Sequence, residues 1–250
     1  MKIALLSDLH SNWHALDACL AHARTQGAER FAFLGDLVGY GGDPEAVVDR
    51  VMDLAEQGAW VVSGNHDQMA LRPPTETQRE GDSGAAWTHA QLRPDQLRFL
   101  EGLPLTQVVG PMLLVHASAL HPERWYYVDD VGAAARSLEA AVQAHDSRYV
   151  FGGHVHRQAL YYQGAGGRLV VFQPQPGVSI PVPSHRRWLG TVGSVGQPRD
   201  GDVRAMYAGL DLERGQLRFF RVPYDHVAAA ASIRRAGLPE RYAQRLLEGT

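Results

Sequence analysis

Short apolar runs alternate with amphipathic stretches along the first quarter of the chain. Three of the runs predict buried strands: Lys2–Ser7, Arg30–Leu34 and Trp60–Ser63. Apolar residues recur at helical spacing from Trp13 and again from Pro44, and Gly27 and Gly58 supply the expected helix stops. This order predicts a βαβαβ unit, and therefore a parallel sheet with right-handed crossovers.

The middle of the chain is predicted to be helical, and the last third to be mostly sheet. Residues 71–103 have a polar, helical pattern, with Pro94 at a helix start. A helix over residues 131–144 then separates strands at Met112–Val115 and Arg148–Phe151. Pro239 begins a last short helix, after strands at Leu169–Phe172, Val203–Leu212 and Leu217–Val222.

The composition is that of an ordinary globular protein, with 45% hydrophobic and 20% charged residues among 250. Since no linker or low-complexity tract interrupts the pattern, we expect one domain over residues 1–250. The formal net charge is −3 and there is no dense run of Lys or Arg, so we expect no extended nucleic-acid surface.

The compartment is predicted from the cysteine content and from the absence of long apolar stretches in the sequence. Cys19 is the single cysteine, so no internal disulfide can form, and we expect a buried thiol. The apolar run after Lys2 is too short for a signal peptide, and no later run in the sequence approaches a membrane span. We therefore expect a cytoplasmic protein that does not associate with membranes.

Polar residues follow five of the predicted strands: Asp8 and His10, Asp36, Asn65 to Asp67, His116, and His154 with His156. Residues two apart in an extended chain face the same side, so each Asp/His or His/His pair can converge on one point. Open α/β sheets place their ligands beyond the carboxyl ends of the strands, where all five clusters fall. The topology therefore predicts that these side chains meet.

The donors in these clusters are carboxylate and amide oxygens and imidazole nitrogens, without a thiolate. This set suits first-row ions such as manganese, iron or zinc and disfavours a structural zinc site. Seven ligands are too many for one ion but suffice for two if one carboxylate bridges. We expect two divalent ions per chain, manganese or iron first, with zinc, nickel and cobalt as the other options.

The motifs Asp8-x-His10, Gly35-Asp36, Gly64-Asn65-His66-Asp67, His116 and Gly153-His154-x-His156 resemble those of the calcineurin-like metallophosphoesterases. The likeness covers residues 1–172 in order. The segment Gly193–Arg199 also resembles a segment of the small bacterial and archaeal phosphodiesterase branch. The resemblance implies an α/β fold, a four-layer αββα sandwich of two mixed β-sheets flanked by helices.

The resemblance also implies how the ligands divide between two metal ions. One ion would take Asp8, His10, Asp36 and His156, and the other would take Asp36, Asn65, His116 and His154. Asp36 would then bridge. His66 resembles the non-ligand catalytic histidine of the family, and Asp67 is expected to orient or contact it.

The expected function is hydrolysis of small phosphodiesters or nucleotides, since two cations lower the pKa of a bound water, which attacks phosphorus in line. Alternatives within the fold are a dinucleoside polyphosphate hydrolase, a protein phosphatase and a nuclease acting on DNA ends. The acidic balance disfavours the nuclease. A catalytically silent binding or scaffold protein is the alternative of a different class, and the presence of every ligand and of His66 disfavours it.

One departure from the family pattern bears on the substrate. Relatives that dephosphorylate proteins resemble Gly-Asp-x-Val-Asp-Arg-Gly after the second strand, whereas this chain has Gly39 and Tyr40 at the Asp and Arg positions. The carboxylate that would pair with the catalytic histidine and the guanidinium that would clamp a phosphomonoester are both replaced. The sequence therefore predicts a preference for diesters.

Several residues remain open from the sequence. Gly193–Arg199 is either a plain Gly/Pro turn or a loop whose Arg199 reaches the substrate phosphate. Trp125 to Tyr127 line the cleft, belong to the core or form a partner surface. Four histidines are predicted at the surface and three are unassigned: His22, His89, His145 and His226, and His14, His121 and His185. The sequence does not predict the oligomeric state.

Overall fold

The computed structural model of the chain describes residues 1–73 and 82–250. Its strands are β1 (Lys2–Leu6), β2 (Arg30–Leu34), β3 (Trp60–Val62), β4 (Thr106–Val109), β5 (Met112–Val115), β6 (Tyr149–Gly152), β7 (Gln158–Gln163), β8 (Leu169–Phe172), β9 (Ser179–Pro181), β10 (Trp188–Val192), β11 (Ala205–Asp211) and β12 (Gln216–Val222). Its α-helices are α1 (Trp13–Thr25), α2 (Pro44–Glu56), α3 (Asn65–Leu71), α4 (Asp82–Gln91), α5 (Pro94–Glu101), α6 (Val131–His145), α7 (His226–Arg235) and α8 (Glu240–Glu248).

The strands form two mixed sheets. The first sheet has the order β3-β2-β1-β11-β12-β9, and the second has the order β4-β5-β6-β10-β7-β8. β1, β2 and β3 are parallel, as the βαβαβ pattern predicts, and β11 joins β1 in the antiparallel sense. In the second sheet β5, β6 and β10 are parallel.

Alternate residues of β1 explain why this strand is apolar throughout. Ile3 and Leu5 belong to the cluster between the two sheets, which also contains Leu114 of β5 and Phe151 of β6. Residues 4 and 6 face the other way, into the cluster that α1 and α2 close. Because both faces are covered, every side chain of the strand after Lys2 is buried and must be apolar.

The outer layers complete the four-layer sandwich that the resemblance implies. α1 and α2 cover the first sheet, and α6 covers the second, where Leu138 packs with Val115 and Val150. α7 and α8 pack together around Ile233 and Tyr242. No helix in residues 1–73 or 82–250 is long and apolar enough to cross a membrane.

Most predicted strands and helices are present, with bounds that differ by a few residues. The predicted helical stretch over residues 71–103 contains α4 and α5, while residues 74–81 lie outside those that the structure describes. α3 begins at Asn65, earlier than predicted, because the Asp67 carboxylate accepts from Gly64 N, 2.9 Å away, and caps the first turn. The strands β4, β7, β9 and β10 and helix α7 were not predicted.

Candidate metal centre

The seven side chains predicted to bind metal meet where β1, β2, β3, β5 and β6 end. They form two buried triads, which we call the first triad (Asp8, His10, His156) and the second triad (Asp36, His116, His154). The potential ligand atoms within each triad lie within 4.8 Å of one another. The Asn65 amide oxygen lies 3.2 Å from His116 Nε2, so Asn65 lies beside the second triad as a fourth possible ligand there.

Distances within the triads show that the ligand atoms share two foci. In the first triad, His156 Nε2 lies 3.1 Å from His10 Nε2 and 3.2 Å from Asp8 Oδ1. In the second, His116 Nε2 lies 3.1 Å from His154 Nδ1 and 3.3 Å from Asp36 Oδ2. Nitrogen and carboxylate oxygen atoms this close together could hold one cation at each triad.

Asp36 belongs to the second triad and also lies next to the first triad. Its Oδ2 lies 3.3 Å from His116 Nε2 and 3.8 Å from His10 Nε2. A single carboxylate oxygen is therefore next to a nitrogen of each triad, which is the placement that a bridging ligand requires.

Backbone carbonyls orient three of the ligand rings. The Nδ1 atoms of His10, His116 and His156 lie 3.2, 2.8 and 2.6 Å from the carbonyl oxygens of Val38, Leu34 and Gln197. Since a carbonyl can only accept, Nδ1 donates in each ring, and this hydrogen bond directs Nε2 towards the triad. His154 differs, because it directs Nδ1 to the second triad.

Backbone amides orient the two carboxylates. His66 N donates to Asp36 Oδ1 over 2.8 Å, which leaves Oδ2 for the histidines. His154 N donates to both oxygens of Asp8, over 2.9 Å to Oδ2 and 3.2 Å to Oδ1, and Oδ1 also lies 3.2 Å from His156 Nε2. A backbone amide therefore fixes each carboxylate while one of its oxygens remains next to the histidines.

Two glycines of the motifs are required by close approach. A Cβ on Gly64 would lie 2.2 Å from Asp36 Oδ1, and a Cβ on Gly153 would lie 2.2 Å from Asp8 Oδ2. Both distances are far below van der Waals contact, so any side chain here would displace a ligand carboxylate. The glycines before Asn65 and His154 allow the ligand loops to pack together.

Five ligands have a left-handed backbone: Asp8, His10, Asp36, His154 and His156, with φ between +46° and +67°. This region is uncommon for residues other than glycine and costs on the order of 1–3 kcal/mol per residue. The surrounding fold stabilises these conformations, and strain of this kind is concentrated at functional sites.

The ionisation states of the two carboxyls, His10 and His154 suit cation binding, whereas Asp36 favours a proton on His116 that a bound cation would have to replace. Burial alone would raise the pKa of each carboxyl, but the neighbouring histidines hold the pKa values of Asp8 and Asp36 below the ordinary value. Burial lowers the pKa of His10, and it lowers the pKa of His154 to about 4. Burial also acts to lower the pKa of His116, but the Asp36 carboxylate outweighs it and raises that pKa to about 9.

This donor set fits two divalent cations. Two ionised carboxylates, four imidazoles and one amide oxygen are gathered at the end of the sheets, and the carboxylates and all four rings are less than 10% exposed. Buried charges of this kind are stabilised when they are paired or coordinate a metal. The oxygen and nitrogen donors match first-row ions.

His66 lies beside the first triad without joining it. Its ring is in edge contact with the His10 ring, with centroids 5.1 Å apart, and lies 4.5 Å from the Tyr40 ring. A Cβ on Gly39 would lie 2.7 Å from His66 Nδ1. The aspartate found at position 39 in protein phosphatases would therefore collide with His66 in this conformation.

Arginines from distant segments lie over Tyr40. The guanidinium carbon of Arg199 lies 5.7 Å from the centroid of the Tyr40 ring, and that of Arg245 lies 6.0 Å from it. Position 40 supplies no cation, as the sequence indicates, but the fold brings cations to it from the C-terminal part of the chain.

Asp67 contacts backbone amides. It accepts from Leu37 N at 2.8 Å, Val38 N at 3.2 Å and Gly64 N at 2.9 Å. Burial raises its pKa to about 7. A hydrogen bond to the His66 ring is not among its contacts with the described residues, so its geometry is that of a residue that positions the ligand loops.

The segment Gly193–Arg199 is a buried loop against the first ligand loop, which is more than a plain turn. Ser194 Oγ and Gly196 N both donate to the Asp8 carbonyl over 2.9 Å. The Gln197 carbonyl accepts from His156, and the Gln197 side chain accepts from the Arg199 guanidinium over 2.6 Å. This loop thus orients a ligand and places Arg199 at the edge of the site.

Sequence reasoning missed the supporting residues Asn12, Ser194 and Gln197. Asn12 Oδ1 caps α1 by accepting from Ala15 N at 3.0 Å, while its Nδ2 donates to Gly196 O over 2.9 Å. The resemblance includes Ser194 and Gln197 within Gly193–Arg199 but does not give their contacts, because Asp8 and His156 lie far away from them in the sequence. Only the cap role of Asn12 has a local signal, an Asn directly before a helix.

The other open residues have distinct environments. Trp125 and Tyr127 line a cleft beside the second triad, while Tyr126 is half exposed. His22 and His89 are half-buried and hydrogen-bonded, to Tyr207 Oη and the Ala70 carbonyl, whereas the sequence places them at the surface. Both rings pack partly against the protein while a ring nitrogen keeps a hydrogen bond.

Comparison with known proteins shows relatives along the whole chain. Residues 1–215 match the model of the calcineurin-like phosphoesterase superfamily domain. An uncharacterized protein of Methanocaldococcus jannaschii is 32% identical, with 99% of this chain and 98% of the relative covered.

Solved structures agree with this match. A metallophosphoesterase from Sphaerobacter thermophilus is 34% identical, with 100% of this chain and 99% of that chain covered and a TM-score of 0.89. A hypothetical protein from Pyrococcus horikoshii has the same fold at 19% identity, with a TM-score of 0.79 over 100% of this chain and 98% of that one.

Proposed function

Because the chain belongs to the calcineurin-like phosphoesterase superfamily, we propose that it is a dinuclear-metal-dependent phosphoesterase that hydrolyses small phosphodiesters or nucleotides. One observation carries the proposal: two buried triads share Asp36 between them, while a further histidine, His66, stands beside the first triad. A site for a single structural ion would need neither the second triad nor the His66 ring beside the first triad.

The residues that would hold the ions follow from the two foci. Asp8, His10 and His156 would hold one ion, Asn65, His116 and His154 the other, and Asp36 would bridge, with manganese or iron as the expected metals. When bound, two such cations supply Lewis-acid stabilisation of phosphoryl oxygens and an activated water for in-line attack on phosphorus.

His66 is the proposed catalytic histidine. Its ring is next to the first triad, and burial lowers the pKa of the ring, so the neutral form is favoured. A neutral imidazole in this position can donate a hydrogen bond to a phosphoryl oxygen, and protonation of the leaving oxygen would require the ring to take up a proton first. Asp67 would act through the backbone, by fixing the loops that carry Asn65 and Asp36.

Arg199 is the proposed substrate contact on the side of the first triad. Its guanidinium is tied on one side to the Gln197 amide oxygen and faces the Tyr40 ring, so its position is defined before the substrate arrives. A guanidinium has five N–H donors, and several remain for phosphate oxygens.

The preference expected among substrates is for diesters. A Cβ at position 39 would lie 2.7 Å from His66 Nδ1, so a side chain with a carboxylate partner for His66 does not fit at this position. A monoanionic diester needs less cationic clamping than a dianionic monoester. We expect kcat/KM for bis-p-nitrophenyl phosphate to exceed that for a phosphoserine peptide by about tenfold or more.

Both substrates should be compared on one preparation whose metal content is measured by inductively coupled plasma mass spectrometry. Protein reconstituted with manganese is compared with chelator-treated protein. Metal-dependent hydrolysis of the diester supports the proposal, and a clear preference for the phosphopeptide would overturn the diester assignment. Absence of hydrolysis with two ions bound per chain would overturn the enzyme assignment itself.

A further inference from the structure

A cleft of about 530 Å³ opens beside the second triad, and one face of α3 forms its first wall. The lining residues from this helix are Asn65, Gln68 and Met69, and Arg72, directly after the end of the helix, also lines the cleft. The spacing of three and four residues places Asn65, Gln68 and Met69 on one helix face. We call this cavity the α3 cleft, and its volume is in the range of small-molecule sites.

The opposite wall follows the ligand His116 and contains Arg124, Trp125 and Tyr127. The Tyr127 ring stacks on the ligand His154, with centroids 4.2 Å apart and an interplanar angle of 27°. Tyr127 is nevertheless 55% exposed. One ring face therefore covers a metal ligand, while the rest of the ring is accessible to an aromatic group in the cleft.

The charged side chains among the described residues that line the cleft are positive. Arg72 and Arg124 both line it, and the described residues that line it include no Asp or Glu. The Arg124 side chain is 69% exposed, and its contact with Glu123 is long, at 4.0 Å. Its donors are therefore accessible to an anionic ligand.

The length of α3 separates Arg72 from the predicted metal ligand Asn65. Asn65 is the first residue of the helix and Arg72 is the residue directly after its end, so their backbone positions are about 10 Å apart along the helix axis. A guanidinium at this end of the cleft is available to a group beyond a phosphate at the triads. The cleft therefore combines a reacting position, an aromatic platform and two cations beyond it.

We propose that the α3 cleft binds the nucleotide part of a substrate with two or more linked phosphates. The nucleobase stacks on Tyr127 and Trp125, and Arg72 and Arg124 bind the phosphate next to the reacting one. This inference rests on the proposed function, since the reacting phosphorus is placed at the triads. It names a nucleoside diphosphate or polyphosphate ester as the substrate class and these four residues as the source of specificity.

The reaction on such a substrate is a hydrolysis that balances with one water. The water oxygen bonds to the reacting phosphorus, and the bond from that phosphorus to the bridging oxygen breaks. The bridging oxygen stays with the neighbouring phosphate and takes one proton from the water. Arg72 and Arg124 would then bind the leaving phosphate, whose negative charge increases as the bond breaks.

The test compares two substrates on metal-loaded enzyme: P1,P2-diadenosine diphosphate and bis-p-nitrophenyl phosphate, which has no second phosphate. The measured quantity is kcat/KM for the dinucleotide divided by kcat/KM for bis-p-nitrophenyl phosphate. We expect the double variant Arg72→Gln/Arg124→Gln to lower this ratio by about 10- to 100-fold. Tyr127→Leu should lower it by about tenfold, through lost stacking.

The matched control is Arg214→Gln. Arg214 is an arginine whose side chain is 76% exposed, on the turn between β11 and β12, and its partner Asp211 pairs with Lys2 at the start of β1, away from the ligand loops. This variant should leave the ratio unchanged. Thermal unfolding of every variant verifies that the fold is intact.

Titration calorimetry with adenosine 5′-diphosphate and adenosine 5′-monophosphate gives a second readout that needs no turnover. We expect the diphosphate to bind the wild-type protein about tenfold more tightly, and the double variant to lose this preference. An unchanged substrate ratio in an enzyme that hydrolyses the small diester would overturn this inference alone. If the wild type hydrolyses neither substrate, the proposed function fails. In that case, if the double variant kept the wild-type preference for the diphosphate in the titration, the cleft assignment would be overturned too.

Discussion

At the scale of single residues, the backbone and both carboxylate oxygens of Asp36 are constrained. Its backbone is left-handed at φ +52°, its Oδ1 accepts from His66 N, and its Oδ2 is next to both triads. A residue with such contacts cannot be replaced without consequences on both sides of the site.

Asp36→Ala should therefore reduce the content of both metal ions, from about two per chain to well below one. Asn65→Ala is the matched comparison. Asn65 lies beside the second triad only, so its loss should weaken mainly the binding of the ion at that triad. Metal per chain after gel filtration, measured by mass spectrometry, distinguishes the two. Normal metal content in Asp36→Ala would contradict the bridging role.

His66→Ala separates catalysis from metal binding. Its ring is outside both triads, so we expect the variant to retain two ions and lose about 10²- to 10⁴-fold in kcat. Exposed His145, in the last turn of α6, gives the control His145→Ala, which should behave as wild type. A metal-depleted His66→Ala protein would show that His66 is a ligand, and a fully active one would show that it has no catalytic role.

At the scale of elements, the site depends on how the loop after β2 is tied to the start of α3. Asp67 makes this connection, since one buried carboxylate accepts three N–H groups from the two segments. Leu37, Val38 and Gly64 are all buried, so no water is at hand to take over these donors.

Asp67→Ala should therefore lower the free energy of unfolding by about 3 kcal/mol, since buried donors would be left unsatisfied. Asp17→Ala on the exposed face of α1 is the control and should change it by less than about 0.5 kcal/mol. Urea titrations monitored by circular dichroism give both values. Equal stability of the two variants would mean that the Asp67 hydrogen bonds contribute little.

At the scale of the whole molecule, metal binding and folding should be coupled. The ligands come from Asp8 to His156 in the sequence and gather only in the folded chain, so the ions bind the native state almost exclusively. Two ionised carboxylates are also buried together there, and a cation relieves their repulsion.

Removal of metal by a chelator should therefore lower Tm, and manganese should restore it. At a free metal concentration 100 times Kd, one site contributes about 2.7 kcal/mol. For a chain of this size this corresponds to a Tm difference on the order of 5–10 °C. Asp36→Ala should show little response to either treatment, whereas an equal Tm response in this variant would place the stabilising ion elsewhere.

Much of this site was predictable because its signals are local in sequence. Each predicted ligand lies within a few residues of the end of a buried strand, and the parallel order of β1, β2 and β3 follows from alternating strand and helix periodicity. The seven predicted ligands lie together, but they come from both sheets, so the packing of the two sheets was needed to join them. The strands β7 and β10 were missed because short apolar runs do not distinguish a strand from a helix by periodicity.

The donor types and the strand ends that carry them follow from the sequence alone, because residue type and strand periodicity are properties of short segments. That His66 is not a ligand was implied by the resemblance to the family. The folded chain was needed to learn which oxygen of Asp36 faces both triads, that Asp67 contacts amides, and that Arg199 lies over Tyr40. Those relations join segments as far apart as residues 40 and 199. They depend on the packing of two sheets and their loops, and no local pattern encodes such distances.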